Sequence, residues 1–310
     1  MVNLGRVGIW TGQLDSQPAS AVREIVAEVE SLGYGAIWYP ESRGRESIAQ
    51  ASILLSATKR IIVAPGIANI YARDAVASVA AQYTLNEAFG GRFVLGLGVS
   101  HQPSVEAIRG HTYAPPYTTM RAYLDAMDQA SYMAAPPAET PTTMLAALGP
   151  RMLELAATRT LGAHPYFVPV EHTQRARQIM GPNALLAPEQ AVILETNRER
   201  AYAIARAHTV TYTASVNYGN NLKRLGFTDD DLVNGGSDRL IEAIIAWGTI
   251  EQVAARVKAH LDAGADHVCV QVLNSAAPRP AVGATPVRGI PPATPPLEQW
   301  RQLAPALLSL

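Results

Sequence analysis

The run Gly96-Leu97-Gly98-Val99-Ser100-His101 sets two glycines ahead of a histidine. Without a Cβ, such glycines let a ligand approach backbone N–H groups closely. A dinucleotide fingerprint needs a third glycine, and that position is His101, so the run is not one. Packing in a crowded interior is the alternative use for these glycines. A second candidate is Leu148-Gly149-Pro150, where proline opens a helix. A helix start offers free N–H groups and a positive dipole end to a phosphate. Pro150 lacks an N–H, so Gly149, Arg151 and Met152 would be the donors there, and a plain helix cap is the alternative. A third is Pro65-Gly66, inside an otherwise strand-like run. It suggests a bulge or strain of the kind that gathers at functional sites, against the alternative of a local kink.

The chain has 7 histidines, and none form the H-x-x-x-H or H-E-x-x-H spacing of a metal site. Its single cysteine, Cys269, excludes a cysteine zinc site and an intramolecular disulfide. No G-x-S-x-G elbow is present, which speaks against a serine hydrolase. His164 and His267 fall within strand-like runs and are expected in the core, and His260 is expected on a helix surface. His101 follows a strand at the end where chemistry is expected. Its unperturbed pKa lies near neutral, so it is the candidate to donate or accept a proton.

These residues need a scaffold, and the sequence alternates short β-branched runs with longer amphipathic ones. Strands are expected at 6–10, 36–40, 60–70, 92–100, 142–148, 163–168, 185–195 and 266–273. Helices are expected between them, among them 119–133, 151–161, 171–180, 198–207 and 249–263. Gly33 is a C-terminal stop, and Asp74 and Asn197 are N-caps. Eight strands, each followed by a helix, in 310 residues predict a (β/α)8 barrel, with a doubly wound sheet as the alternative. The chain is expected to be one domain over 1–310, with insertions near 101–118 and 208–247. In such barrels the site is built at the C-terminal strand ends. That selects Trp10, Thr11 and Gly12, then Glu41, Ser42 and Arg43, then Gly66 to Asn69, then Gly98 to His101, then Leu148 to Pro150.

Apolar residues make up 48% and charged ones 16%, which excludes a disordered chain. A net charge of −1 gives no basic face for nucleic acid. The N-terminus lacks the apolar run of a signal peptide, and no stretch approaches the roughly 20 apolar residues of a membrane span, so a cytoplasmic location is expected.

Together the segments GIWTGQLD, GYGAIWYPES, VAPGIAN, NEAFGGRFVLGLGVSH, ALGPRMLELAATRTLGAHPY and GADHVCVQVL resemble the luciferase-like monooxygenase superfamily, within it the branch that uses the deazaflavin coenzyme F420. The resemblance spans nearly the whole chain, and NEAFGGRFVLGLGV is its most specific part. It implies a barrel with a flavin or deazaflavin at its C-terminal mouth, usually in a homodimer. It also implies a non-prolyl cis peptide in strand three behind the ring, matching Gly66 and Ile67. The cofactor phosphate would be held by backbone at Gly98, Val99 and Ser100 and at Leu148, Gly149 and Pro150, with Trp10 and Ala68 also at the cofactor. Relatives carry an acidic residue and then His after strand two, where this chain has Glu41-Ser42. They often carry Glu after the strand-four glycines, where it has His101. These departures speak against sugar-phosphate dehydrogenase chemistry and put an imidazole at the acid–base position. The expectation is an F420-dependent oxidoreductase acting on a small organic substrate, with His101, Glu41 and Ser42 as catalytic residues and no metal. The alternatives are an FMN-dependent monooxygenase and a barrel that binds the cofactor without turnover.

Overall fold

The computed structural model describes residues 2–275 and 293–310. Most of the proline- and alanine-rich stretch 276–296 lies outside them. The strands are β1 (Val7–Trp10), β2 (Ala36–Tyr39), β3 (Ile62–Pro65), β4 (Ala68–Asn69), β5 (Val94–Gly98) and β6 (Thr142–Leu145). They continue with β7 (Gly162–Ala163), β8 (Leu185–Leu186), β9 (Glu189–Ile193), β10 (Ile245–Trp247) and β11 (Val268–Val272). Every strand pair is parallel.

The ladders form two sheets, β10-β9-β11-β1-β2-β3 and β4-β5-β6-β7-β8. They meet at two seams. At one, the expected third strand is split into β3 and β4 by Gly66–Ile67, whose peptide bond is cis, and Val63 pairs across to Phe93. At the other, the expected seventh strand is split into β8 and β9, and the Glu189 N–H donates to the Pro165 carbonyl at 2.9 Å. Counting each split strand once, the eight expected strands form a (β/α)8 barrel. The extra strand, β10, extends one sheet beyond β9 and was not expected.

Side chains alternate along each strand, which separates two cores. Val7 and Ile9 of β1, Ile37 and Tyr39 of β2, and Leu95 and Leu97 of β5 join the layer under the helices, with Val22, Val26 and Val29 of helix Ala19–Leu32. Trp10, Ala36, Trp38, Ala64, Val94, Met144 and Cys269 belong to the second cluster, inside the barrel. Gly33 closes that first helix at φ 99°, a conformation natural to glycine. Asp74 and Asn197 cap as expected, accepting from the N–H of Ala77 at 2.7 Å and of Arg200 at 3.0 Å.

The expected strands 142–148 and 163–168 shorten to β6 and β7, and the expected helix 119–133 starts earlier, as Pro116–Gln129. The helix expected at 198–207 runs on as Arg198–Thr213, into the region read as an insertion. That region also holds helices Val216–Arg224 and Asp238–Ile244 before β10. His260 is a correction: it is buried, not on the surface. Helix Ile250–Asp262 turns Val253, Val257 and His260 inward at one helical spacing. The imidazole lies 2.7 Å from Thr173 Oγ1 and 2.9 Å from Gln190 Oε1.

Candidate active site

A cavity of about 250 Å³ opens at the C-terminal ends of the barrel strands. Trp10, Gly66, Ile67 and His164 line its deep part, and Tyr166, Tyr212, Tyr218 and His101 contribute aromatic surface. Glu41, Ser42, Arg43, Ser100, Ser104 and Arg109 supply polar groups. Of the residues selected from sequence, the cavity gathers Trp10, Glu41, Ser42, Arg43, Gly66, Ile67, Asn69, Ser100 and His101. Ala68, Gly98, Val99, Leu148, Gly149 and Pro150 are not on its wall. Ala68 and Gly98 are buried in β4 and β5, and Val99 packs against the main core. Gly149 caps helix Pro150–Arg159 beside Arg224, whose Nη1 stands 3.7 Å from where a Cβ on Gly149 would be.

The deep end is shaped by close packing of rings and glycine. His164 follows the two-residue β7, stacks on Trp38 with centroids 4.5 Å apart, and donates from Nδ1 to the Ala187 carbonyl at 2.7 Å. Burial pushes its pKa down to about 4, so the ring is neutral and its Nε2 carries a lone pair. Trp38 donates to His267 Nε2 at 3.2 Å, and His267, also pushed down to about 4 by burial, bonds the Gly5 carbonyl at 2.8 Å. His164 Nε2 and Trp10 Nε1 have no hydrogen-bond partner among the described residues, and each lies 2.8 Å from where a Cβ on Gly66 would stand. Any side chain at position 66 would strike both, so glycine is required there. Gly98, in β5, has a related role. A Cβ on it would lie 2.5 Å from Ile67 Cδ1 and Cγ1, so its bareness seats the Ile67 side chain.

Glu41 sits at the end of β2 and is almost wholly buried. Both its oxygens are engaged: Arg73 donates to each, the Asn69 N–H donates at 2.7 Å and the Ser47 N–H at 3.2 Å. The carboxylate therefore ties the loop after β2 to the turn after β4, and neighbouring Ser42 is left exposed at the mouth. Ser100 has φ 58°, uncommon for a residue with a Cβ, and its carbonyl accepts from the Tyr113 hydroxyl at 3.4 Å. His101 follows, with Nδ1 3.1 Å from Asn217 Oδ1 and its ring 5.6 Å from that of Tyr218. An amide oxygen can only accept, so Nδ1 carries the proton and Nε2 is bare. Burial lowers the pKa of His101, with the bond to Asn217 opposing.

Several lining residues escaped sequence reasoning. Tyr166 lies beyond the short β7. Tyr212 and Tyr218 come from the 208–247 region, whose helices carry no strand-end marker. Ser104 opens a single turn of π-helix, Ser104–Ile108, in the expected 101–118 insertion, and Arg109 follows its last residue. Among the described residues, no group of three or more His, Cys, Asp or Glu side chains could hold a metal ion. No helix among them is long and apolar enough to cross a membrane.

The model of the luciferase-like monooxygenase family matches residues 4–267. The chain belongs to that family. Among its luciferase-like relatives is a Mycobacterium tuberculosis protein provisionally named a coenzyme F420-dependent oxidoreductase, 29% identical over 172 residues, 55% of this chain and 47% of that protein. Another is a 5,10-methylenetetrahydromethanopterin reductase of Methanolobus tindarius, 28% identical over 46% of this chain and 48% of that protein. The chain thus matches about half the length of these relatives. The luciferase-like fold is shared with an F420-dependent secondary alcohol dehydrogenase solved with an F420-acetone adduct, at a TM-score of 0.70 and 12% identity, covering 98% of this chain and 99% of that one. It is shared equally with an EDTA monooxygenase of Chelativorans, at 0.73 and 12%, covering 99% and 94%.

Proposed function

We propose that the chain is an oxidoreductase that uses coenzyme F420 to move a hydride to or from a small organic substrate. The names of the relatives support the cofactor. The cavity supports it independently, because it combines an aromatic and aliphatic lining with two buried nitrogens, Trp10 Nε1 and His164 Nε2, that have no partner among the described residues and lie at Gly66. Gly66, Ile67 and Trp10 would back the ring, and backbone at Ser100 and at Leu148 to Pro150 would take the phosphate, while Gly98 would act by leaving room for Ile67. Once bound, the deazaflavin supplies the carbon that gives or takes the hydride.

The protein's own chemistry centres on His101, and its place on the cavity wall with Nδ1 tied to Asn217 is the observation that carries the proposal. Asn217 fixes the tautomer, and the lowered pKa keeps the ring neutral near pH 7, ready to accept a proton from a substrate hydroxyl. In the reverse direction the imidazolium returns that proton to a carbonyl oxygen. Glu41, already saturated with donors, is a positioning residue, and exposed Ser42 orients the substrate. We take the working form to be a cytoplasmic homodimer of single-domain chains.

The test is His101→Asn, which keeps a polar side chain of similar size but cannot exchange a proton near neutral pH. With a substrate found by screening alcohols and carbonyl compounds, cofactor affinity stays near normal and turnover falls by roughly 10²-fold or more. Turnover at the wild-type rate would overturn the role of His101.

A further inference from the structure

Polar side chains on the cavity wall with no hydrogen-bond or ionic partner among the described residues include Ser42, Ser100, Ser104, Thr211 and Arg109. Arg109 is the telling one. Its guanidinium is half-buried, carries five donors and meets no carboxylate. The nearest acid in sequence, Glu106, is turned instead to Gln102 and the Tyr113 N–H. Among the described residues, Glu41 is the one carboxylate on the cavity wall, and Arg73 neutralises it from behind. With Glu41 neutralised, the Arg109 guanidinium leaves its part of the wall positive. A site lined this way favours a ligand that brings its own negative charge.

The coenzyme is itself an anion, but its phosphate has another place on the reading above, at the backbone after strands four and five. That leaves Arg109 and Ser104, next to His101, for the molecule that reacts. Resting on the proposed function, we propose that the substrate carries an oxyanionic group, a carboxylate or phosphate, held by Arg109 with Ser104, while His101 faces its hydroxyl or carbonyl carbon. The substrate class is then hydroxy acids and their oxo counterparts, or phosphorylated alcohols and carbonyl compounds other than sugars, small enough for the cavity. No bond to the protein forms: Arg109 donates hydrogen bonds, and the hydride and proton move as already described.

The experiment has three arms, all on the full chain. Inorganic phosphate is titrated calorimetrically into cofactor-free wild type and Arg109→Gln. The wild type binds it, and the variant binds at least about 10-fold more weakly, the loss expected for one charged hydrogen-bonding partner. Equal binding, or none in the wild type, overturns the proposal, and this arm does not depend on whether F420 is the cofactor. F420 affinity is then compared between the two proteins by fluorescence. It is expected to match within about twofold, and a large loss would assign Arg109 to the coenzyme's own phosphate and overturn the substrate reading. Finally, hydroxy acids and alcohol phosphates are assayed beside neutral counterparts of each. The wild type prefers the anion, and Arg109→Gln raises its KM by roughly 10- to 100-fold with kcat less affected. Arg109→Lys recovers some of the loss. Equal use of anion and neutral counterpart by the wild type would contradict the proposal.

Discussion

Adding one methyl group at Gly98 tests how the glycines of the strand-four run work. The Cβ of Gly98→Ala would stand 2.5 Å from Ile67 Cδ1 and Cγ1, nearly 1 Å inside ordinary contact. Ile67 lines the cavity on its other side, so the displaced side chain must move into the space a ligand would use. Overpacking of this kind costs about 1–3 kcal/mol. In an Ile67→Ala background the offending atoms are gone, and only the Ile67 Cβ position, 3.3 Å away, remains close. There the same substitution costs less than about 1 kcal/mol, since alanine also restricts the unfolded chain relative to glycine. The double-mutant cycle therefore yields a coupling of about 1–3 kcal/mol, read from urea unfolding of the four proteins at constant m. Gly98→Ala alone lowers both stability and cofactor affinity. An identical cost in the two backgrounds would refute the packing role. A loss of affinity with no loss of stability would instead return Gly98 to direct contact with the ligand.

Arg73→Met leaves the Glu41 carboxylate buried beside two backbone donors but without its cation, and should cost about 3–5 kcal/mol in urea unfolding. A cost below about 1 kcal/mol would show that the pair is not a buried one. His164, His260 and His267 are pushed by burial to about 4, 3 and 4, below the ordinary value near 6.5 that they regain on unfolding. The unfolded chain then binds more protons as pH falls through 6.5, so their contribution is full above that pH. It is lost towards pH 4, with a slope of up to roughly 4 kcal/mol per pH unit. Denaturant midpoints measured from pH 7 to 4.5 check this, and a flat profile would contradict neutral burial. For His101 the lowered pKa places the acid limb of kcat/KM for alcohol oxidation below pH 6.5, and His101→Asn removes that limb.

The barrel was legible because its signal is repetitive: alternating apolar runs, glycine stops and capping residues recur along the chain. Where it was misread, the element was short or broken. The third and seventh strands each look continuous in sequence but are divided between two sheets, at Gly66–Ile67 and at residues 187–188. Strand β10 was absorbed into an insertion because Ile245–Trp247 follows directly on a helix, with no turn residue between them. The spacing of Val253, Val257 and His260 did carry the burial of His260, overruled by the general exposure of helical histidines. Strand-end reasoning found Trp10, Gly66, Ser100 and His101. It could not find Tyr212 and Tyr218, which reach the cavity from helices far along the chain, nor the Arg73 partner that occupies Glu41.

Whether this cavity takes a deazaflavin is decided by equilibrium titration of the purified chain with F420 and, separately, FMN. F420 is expected to bind saturably and more tightly than FMN, with weaker binding to Gly98→Ala. Micromolar affinity for FMN with no detectable binding of F420 would contradict it.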